Sequence, residues 1–546
     1  MLKSIKAVSS LEKIFIDSDV SDLTELKHFS MLKNEKKSFQ IALDITDSEF
    51  INIDIASSLN DFLNISVVKN VPSDLATPKR TDNFYIKKVP GLYPDLLLPV
   101  SEGCSFDSSG TFAFWIEISP SGEKLLPSGN HNIAITTRTK STTYKTELSV
   151  EVIDALLPKQ TLIYTNWIHT DCLMTYYGFK AFTDEYWETL RNYLNKAVKY
   201  GMNCVLTPIF TPPLDTEVGK ERPTVQLVKI NTAGNGAYFF DFSLLEKWIS
   251  ISKECGIEYF ELSHFFTQWG AKHAPKIEAC VNGKEEKIFG WNTKATGIEY
   301  KHFLRQFAYA LKSFLRKEKL EDNVLVHVSD EPPFSCLMSY KKASRIIHHL
   351  FPEYKIIDAM SSYPLAKICN VRYPIPANDY IDSFIGKTEE LWTYYCSAQS
   401  SKNVSNRFFS MPSVRNRILG YQMYKYSVKG FLHWGYNFYF SQYSRKPIDP
   451  YKVTDAGKAF ASGDSFVVYP GDNFTPLNSL RLNVFYDGLQ DMMALQLLET
   501  KIGKEAVVKL MEDSTDKPIT FSEYPHSNSW LLENREKINL KIKKYI

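Results

Sequence analysis

The first 155 residues alternate between apolar and polar positions in short segments. Clear segments of this kind are Ser38–Ile45, Thr111–Ile118, His131–Thr137 and Thr146–Ile153. Turn-forming clusters of Ser, Gly and Pro separate them. Because alternation with period two indicates half-buried strands, and repeated short strands between turns are typical of two packed sheets, residues 1–155 are predicted to form a β-sandwich domain.

From residue 156 to residue 455 the pattern changes to short apolar runs that alternate with segments of helical spacing. The eight strand candidates are Leu162–Ile168, Asn203–Ile209, Tyr259–Phe266, Asn323–Ser329, Tyr354–Met360, Ser383–Ile385, Leu391–Cys396 and Gly430–Tyr436. The helix candidates between them are Glu185–Tyr200, Leu244–Cys255, Tyr300–Lys317, Met338–Leu350 and Ser413–Ser427. This alternation predicts a central (β/α)8 TIM barrel in a multidomain chain.

Two further regions complete the predicted organisation. Long insertions, Phe210–Phe240 and Thr267–Gly290, follow the second and third strands and should emerge at the C-terminal face of the barrel, where they can wall a pocket. After residue 455, a short apolar run is followed by helical spacing from Leu480 to Leu498. Residues 456–546 are therefore predicted to form a small C-terminal module packed on the barrel.

Composition narrows the classes of partner. The chain has 546 residues, a net charge of +2 and 14% aromatic residues. A nearly neutral chain has no general field that attracts nucleic acid, and surplus aromatic rings suit a neutral, stackable ligand such as a sugar. No apolar run is long enough to span a membrane, and the N-terminus has no signal-like apolar core, so a cytoplasmic protein is expected unless the natural chain is longer.

Eight cysteines are scattered without a C-x-x-C pair or any spacing typical of zinc sites. Reduced thiols are expected, and neither a metal nor another cofactor is predicted.

The strongest candidate chemistry lies at the end of the fourth predicted strand. The stretch Asn323–Pro333 reads N-V-L-V-H-V-S-D-E-P-P, so Asp330 and Glu331 directly follow a buried β-branched run, and two prolines end it. Taken alone, the D-E-P sequence would suggest a surface turn. At the C-terminal tip of a barrel strand, however, two adjacent carboxylates occupy the place where barrel enzymes carry out chemistry.

The other strand tips supply no obvious second carboxylate. Retaining glycosidases ordinarily use a nucleophilic carboxylate ~5 Å from the acid. Glu389 and Glu390 precede the seventh strand and lie at its wrong end, and the eighth strand carries no acid. Asp358 and Asp171 remain as outside candidates. A lone carboxylate pair suits hydrolysis in which a 2-acetamido group on the sugar attacks the anomeric carbon.

Several motifs, taken together and in order, resemble glycoside hydrolase family 123. They are H-V-S-D-E-P (His327–Pro332), L-W-T-Y-Y-C (Leu391–Cys396), R-I-L-G-Y-Q (Arg417–Gln422), G-F-L-H-W-G-Y-N (Gly430–Asn437), G-D-S-F-V-V-Y-P-G (Gly463–Gly471) and R-L-N-V-F-Y-D-G-L-Q-D (Arg481–Asp491). The resemblance implies an N-terminal β-sandwich, a catalytic barrel and an exo-acting β-N-acetylgalactosaminidase. It also implies that Glu331 is the general acid/base and that Asp330 holds the acetamido nitrogen.

Five further residues are predicted to contact the sugar. Trp392 and Tyr394 share one face of the seventh strand, and Trp434 and Asn437 lie near the tip of the eighth. His264 lies near the tip of the third strand. Two of them have a structural alternative, which is packed barrel interior for Trp392 and a satisfied core histidine for His264.

Three functions are compatible with these residues. The first is a retaining, substrate-assisted β-N-acetylgalactosaminidase or hexosaminidase that acts on amino-sugar glycosides, with the galactosamine type favoured by the resemblance alone. The second is an inverting glycosidase with Glu331 as acid and Asp358 as base. The third is a non-catalytic carbohydrate-binding barrel, which the intact Asp330–Glu331 pair disfavours.

Overall fold

The computed structural model describes residues 1–546. Its N-terminal, sheet-rich region contains ten strands: β1 Leu2–Ser9, β2 His28–Leu32, β3 Lys37–Ile45, β4 Glu49–Ala56, β5 Leu63–Ser73, β6 Gly91–Pro99, β7 Gly103–Phe106, β8 Gly110–Ile118, β9 Gly129–Arg138 and β10 Thr143–Ile153. Strands β2, β10, β9, β4 and β7 form one sheet in that order. Strands β1, β3, β8, β5 and β6 belong to a second sheet. Apolar side chains of both sheets share one buried cluster, to which β3 contributes Ile41 and β9 contributes Ile133.

Fourteen strands follow: β11 Ile163–Asn166, β12 Cys204–Thr207, β13 Lys229–Thr232, β14 Phe239–Asp241, β15 Tyr259–Leu262, β16 Ile277–Val281, β17 Lys284–Phe289, β18 Val324–Val326, β19 Lys355–Ala359, β20 Tyr373–Ile375, β21 Trp392–Tyr394, β22 Gly430–His433, β23 Val468–Pro470 and β24 Pro476–Ser479. The helices are α1 Thr170–Tyr177, α2 Asp184–Lys199, α3 Ser243–Cys255, α4 Ile298–Lys317, α5 Leu337–Leu350, α6 Tyr363–Cys369, α7 Ser413–Arg417, α8 Leu419–Lys425, α9 Leu480–Ile502, α10 Lys504–Glu512 and α11 Asn528–Lys543.

The central element is a nearly closed barrel of eight parallel strands. Around it, β11, β12, β15, β18, β19 and β20 follow in chain order, and β22 and β21 lie on the other side of β11. The two ends of the sheet meet at a single parallel bridge between Ala377 and Tyr394. Strands β11, β12, β18, β21 and β22 are buried along their whole length, which explains their continuous apolar composition.

Helices cover this sheet because their apolar residues recur every three or four positions. In α4 the buried side chains include Tyr300, Phe303, Phe307, Leu311 and Phe314, which form one face of the helix. Six of the seven connections between consecutive barrel strands contain an α-helix. The connection from β20 to β21 contains only a short 3₁₀ turn, Ile381–Ser383.

The prediction for the sixth barrel strand was wrong. The segment proposed for it, Ser383–Ile385, lies at the end of the 3₁₀ turn, whereas the sixth strand is β20, ten residues earlier. Pro374 lies inside β20, and a proline within a short run argues against a strand when only the sequence is known.

The two predicted insertions fold together beside the barrel. Strands β14, β13, β16 and β17 form a four-stranded sheet, so the insertion after β12 pairs with the insertion after β15 through β13 and β16. The segment after residue 455 also does more than pack on the barrel. Strand β24 pairs with β6, and β23 pairs with β24, which extends the second N-terminal sheet to seven strands. No helix of the protein combines the length and the apolar character needed to cross a bilayer.

Candidate active site

A cleft opens at the C-terminal ends of the barrel strands. Its lining combines three carboxylates with a mainly aromatic and apolar wall and contains no Lys, Arg or His side chain. The lining residues are Trp167, Leu214, Asp215, Gln268, Trp269, Asp330, Glu331, Ala359, Tyr394, Cys396, Ser397, Leu432, Trp434 and Phe460. A concave apolar site with a few convergent polar groups is the usual form of a small-molecule site.

Asp330 and Glu331 both face this cleft. Neighbouring residues of a regular strand point to opposite sides, so the backbone must leave the strand geometry for both to do so. It does so at Glu331, which has φ +41°, the left-handed region that non-glycine residues adopt at a cost. The N–H of Trp269 donates to the backbone carbonyl of Asp330 at 2.8 Å and helps to hold this turn.

Burial of both side chains and the charge of Glu331 shift the protonation of the carboxyl pair. Burial, followed by the negative charge of Glu331, raises the pKa of Asp330 well above its usual value. Burial also raises the pKa of Glu331, and the hydroxyl of Tyr394, which donates to Glu331 Oε1, opposes that rise. Two carboxylates this close cannot both ionise easily, so the pair retains a proton at higher pH than isolated carboxyl groups do. The carboxylate of Asp330 accepts no hydrogen bond from the protein.

Beneath the pair lies a buried chain of charged groups. His327 Nδ1 lies 3.2 Å from Asp358 Oδ1, and His327 Nε2 bonds to Glu261 Oε1. Burial opposes a charge on His327, but Glu261 and Asp358 overcome it and raise its pKa to about 9. Asp358 also accepts from the backbone N–H of Val328 at 2.9 Å, and Glu261 accepts from the Trp167 indole at 2.8 Å. This buried chain therefore joins Val328, just before the Asp330–Glu331 turn, to Trp167, an aromatic residue of the cleft.

Trp434 forms one wall of the cleft. It is half-buried, and its ring packs against Phe438 and Phe460 with centroid distances of 5.0 and 5.3 Å. Its indole N–H donates to Asp464 Oδ2 at 3.1 Å. Burial raises the pKa of Asp464 to about 7. The indole is thus fixed from behind, and its remaining surface faces the cleft.

Of the predicted site residues, the structure brings four together: Asp330, Glu331, Tyr394 and Trp434 all line the cleft. Trp392 does not. It is fully buried inside the barrel, where it lies so close to Gly430 that a Cβ added there would be 2.1 Å from the indole.

His264 and Asn437 also lie outside the cleft lining. His264 is buried and stacks on His327 with ring centroids 4.2 Å apart, and burial lowers its pKa well below the usual value. Asn437 is fully buried and exchanges hydrogen bonds with the backbone N–H and carbonyl of His169 at 2.9 and 3.1 Å. It ties the end of β22 to the segment after β11.

Asp358, proposed as the base of an inverting enzyme, is fully buried. Its oxygens are taken by His327, Tyr340 and backbone N–H groups, so it does not reach the cleft. No group of three or more His, Cys, Asp or Glu side chains has the arrangement needed to hold a metal ion. All eight cysteines are free thiols.

Asp215, Gln268 and Trp269 also line the cleft but were not predicted from the sequence. All three lie on the loops that follow β12 and β15, within the two insertions expected to wall a pocket. Loop residues have no periodic signal that assigns the direction of a side chain, so only the location of the insertions pointed towards them.

Two comparisons with known proteins give matches to this chain. The model of the glycoside hydrolase 123 catalytic domain matches residues 167–498, more than half of the chain. A family 123 glycoside hydrolase from Clostridium perfringens, studied for the hydrolysis of glycolipid glycans, superposes with a TM-score of 0.75 at 16% identity, covering 100% of this chain and 98% of that chain. None of the curated proteins matches.

Structures of other glycosidases match more weakly. A β-glucuronidase from Parabacteroides merdae gives a TM-score of 0.31 at 12% identity, over 84% of this chain and 50% of its own, and a TM-score this low does not establish a shared fold. The family model spans every strand of the barrel from β12 onward, the cleft and its carboxylate pair, and the C. perfringens structure shares the fold from end to end. The chain therefore belongs to glycoside hydrolase family 123.

Proposed function

We propose that the protein is an exo-acting, retaining β-N-acetylgalactosaminidase or related hexosaminidase that uses the 2-acetamido group of its substrate as the nucleophile. One observation carries the proposal: Asp330 and Glu331 are sequence neighbours, yet both open into one cleft because Glu331 takes a left-handed backbone. Adjacent carboxylates suit a reaction in which one holds an amide and the other moves a proton.

Asp330 is suited to hold the acetamido group. Its carboxylate has no hydrogen-bond donor from the protein, so the N–H of a 2-acetamido group can supply one. A donor to a carboxylate favours the ionised form and lowers its pKa. Binding of the substrate would thereby place the negative charge on Asp330 and the shared proton on Glu331.

Glu331 then serves as the acid and, later, as the base. It donates its proton to the glycosidic oxygen while the acetamido oxygen attacks C1, the bond from C1 to the leaving group breaks, and the ionised Asp330 stabilises the positive oxazolinium ring. Water next attacks C1 and gives its proton to Glu331 while the bond from C1 to the acetamido oxygen breaks, which reopens the ring, restores the enzyme and yields a sugar of retained configuration. Tyr394 holds the carboxyl of Glu331 in place throughout.

The walls fit a neutral amino sugar. Trp434 and Trp269 present aromatic surface, and no basic side chain lines the cleft to receive an anionic substituent. The galactosamine type is favoured by membership of the family, and the glycolipid glycans named for the C. perfringens relative suggest a terminal sugar of a longer glycan as the substrate class.

A matched substrate pair tests the proposal. Aryl 2-acetamido-2-deoxy-β-galactoside should be cleaved with retention, as followed by NMR of the first-formed anomer, and the matched galactoside with a 2-hydroxyl should not be cleaved at a comparable rate. Glu331→Gln should lose about 10²–10⁴-fold in kcat on an unactivated disaccharide, since this is the usual contribution of general acid catalysis. Comparable cleavage of the 2-hydroxyl substrate would rule out the acetamido nucleophile.

The cleft supports one other hydrolytic mechanism. Asp215 is a third carboxylate in the lining, so an inverting enzyme with Glu331 as acid would use Asp215, and not Asp358, to activate water. The NMR experiment separates the two mechanisms, because inversion gives the α-anomer first.

A further inference from the structure

Asp215 is the cleft carboxylate that the proposed mechanism does not use. It lies on the loop after β12, within the insertion that precedes β13. Its Oδ2 accepts the backbone N–H of Tyr443 at 2.9 Å. Its Oδ1 has no donor from the protein, and the side chain lines the same cleft as the Asp330–Glu331 pair. No salt bridge neutralises it, so a half-buried carboxylate is kept here with one oxygen open to a ligand.

The backbone around Asp215 is fixed from three directions. Arg222 donates to the carbonyl of Leu214 at 3.1 Å, Gln268 donates to the carbonyl of Thr216 at 3.0 Å, and Ser444 donates to the carbonyl of Asp215 itself at 2.7 Å. Asp215 has φ +38°. A non-glycine residue keeps such a conformation only where its surroundings impose it, and such residues cluster at ligand sites.

Arg222, in turn, is held rigidly. Its guanidinium forms two bonds to Asp171, at 2.6 and 2.7 Å, in a fully buried pair. Paired bonds of this kind fix the orientation of both groups. The carboxylate of Asp215 is therefore preorganised, which is the property required of a group that selects among ligands.

We infer that Asp215 is a specificity-determining residue that accepts a hydrogen bond from a hydroxyl on the C4–C6 edge of the sugar. The inference rests on the proposed function, which assigns Glu331 to C1 and Asp330 to the C2 substituent. The opposite edge of a pyranose carries the C4 and C6 hydroxyls. Asp215 lies on the loop after β12, whereas Asp330 and Glu331 follow β18. Strand β15 lies between β12 and β18 in the barrel, so Asp215 enters the cleft from a strand that is not adjacent to β18.

The chemistry of the cleft supports a hydroxyl as the partner. An ionised carboxylate is a strong acceptor for a hydroxyl, and its bond is worth more than one between neutral groups. Burial raises the pKa of Asp215 to about 6, which still leaves it ionised at neutral pH. Together with the absence of basic residues, its charge also disfavours a sulfated sugar at this edge.

A deoxy series tests the inference. The substrates are the aryl 2-acetamido-β-galactoside, its 4-deoxy and 6-deoxy analogues and its 6-sulfate. The variants are Asp215→Asn, whose amide oxygen can still accept from Tyr443, and Asp215→Ala. Glu217→Gln is the matched control, because Glu217 lies on the same loop but outside the cleft lining and pairs with Arg445 at 3.0 Å.

Wild type should favour the parent over one deoxy analogue by about 10–100-fold in kcat/KM, the size expected for a bond to a charged group. In both Asp215 variants the preference for the parent over that deoxy analogue should fall below about threefold, while kcat/KM for the analogue stays at the wild-type value. Both variants should also cleave the 6-sulfate better relative to the parent than wild type does. Glu217→Gln should retain the preference of wild type.

Equal losses on all substrates in both Asp215 variants would overturn the inference while leaving the proposed function standing. Rescue of Asp215→Ala by azide, with a product of altered configuration, would overturn it as well and make Asp215 a nucleophile or base. If wild type cleaves only 2-hydroxyl glycosides, the proposed function fails, and the same deoxy ratio measured on those glycosides still decides the role of Asp215.

Discussion

Tyr394 links the geometry of the carboxylate pair to its titration. Its hydroxyl donates to Glu331, and a donor favours the ionised form of a carboxylate, so this bond lowers the pKa of Glu331. Tyr394→Phe removes the donor and should raise that pKa. Because Glu331 must be protonated to act as the acid, the basic limb of the kcat/KM profile should move to higher pH, by about one unit.

The pH profile of kcat/KM reports the pKa values of groups in the free enzyme, so its basic limb can be compared directly with the pKa of Glu331 in the structure. An unchanged basic limb, with only a uniform loss of rate, would show that Tyr394 positions the substrate without tuning the acid. Tyr395→Phe is the neighbouring control, since Tyr395 is fully buried, packs against Phe431 and His433, and forms no hydrogen bond to Glu331.

Two tryptophans that the sequence pattern could not separate have different roles in the structure. Trp434→Ala should lower kcat/KM by about tenfold, in keeping with the worth of an aromatic contact, with a small change in melting temperature. Trp392→Ala should cost about 3–5 kcal/mol in stability, because Trp392 fills the barrel interior. Thermal melts recorded beside kinetics check both, and a large loss of stability in Trp434→Ala would assign Trp434 to the core.

At this scale the sequence located the carboxylate pair in the cleft better than it predicted the contacts around that pair. Asp330 and Glu331 were found because a buried run ends on them, and that signal is local. His264 and Asn437 have the right residue types near strand tips, but their side chains turn into the packing between β15 and β18 and between β22 and the segment after β11. The direction of a side chain beyond a strand end depends on the neighbouring elements, which no local pattern encodes.

At the scale of elements, strand β18 is anchored by the buried chain Glu261–His327–Asp358. These residues come from three adjacent barrel strands or their ends, β15, β18 and β19. The elevated pKa of His327, about 9, means that its charge stabilises the fold. That contribution is fully present below the unfolded pKa of about 6.5 and is lost as the pH rises through about 9.

His327→Gln should therefore cost about 3–5 kcal/mol at pH 6.5, since it leaves two buried carboxylates without their cation. The difference in stability from wild type should shrink as the pH rises from 6.5 to 9.5. Urea denaturation at several pH values measures this. A difference that does not vary with pH would show that His327 is neutral in the folded protein.

Most elements of the barrel were predictable because long helices and buried parallel strands carry strong periodic signals. The predicted helix Tyr300–Lys317 and the observed α4 differ by two residues at one end. The sixth strand failed for a physical reason. Strand β20 is three residues long, contains Pro374 and lies at the seam where the barrel closes through one bridge. Its sequence therefore need not show the apolar, β-branched run by which the other barrel strands were predicted.

At the scale of the whole molecule, the segment after residue 455 joins regions that are far apart in sequence. Strand β24 pairs with β6, and Arg481 of α9 forms two bonds to Asp95 of β6, at 2.7 and 2.9 Å. Pairing between strands almost 400 residues apart leaves no mark on either local pattern. The sequence therefore predicted the helix of this segment but not the sheet that its strands complete.

Asp491 on α9 is the junction of these regions. Its oxygens accept from Arg417 of α7 at 2.7 and 2.9 Å and from Arg535 of α11 at 2.8 Å. Arg535 also reaches Glu35, in the N-terminal region, at 2.9 Å. Burial opposes the charge of Asp491, but the two arginines overcome it and lower its pKa below the usual value. Its contribution to stability is present at neutral pH and is lost as the pH falls below about 4.

Because the buried ionic cluster of Asp491, Arg417, Arg535 and Glu35 joins the N-terminal region, the barrel and the C-terminal helices, we expect the three regions to unfold together. Calorimetry should show a single transition whose calorimetric and van't Hoff enthalpies agree, as two-state unfolding requires. Asp491→Ala removes the carboxylate that Arg417 and Arg535 share in the buried interior and should cost about 3–5 kcal/mol. In the exposed pair Arg372–Glu389, Arg372→Ala should cost less than about 1 kcal/mol. Two separate transitions in wild type, with Asp491→Ala shifting only one of them, would show that the regions unfold independently and that the cluster does not couple them.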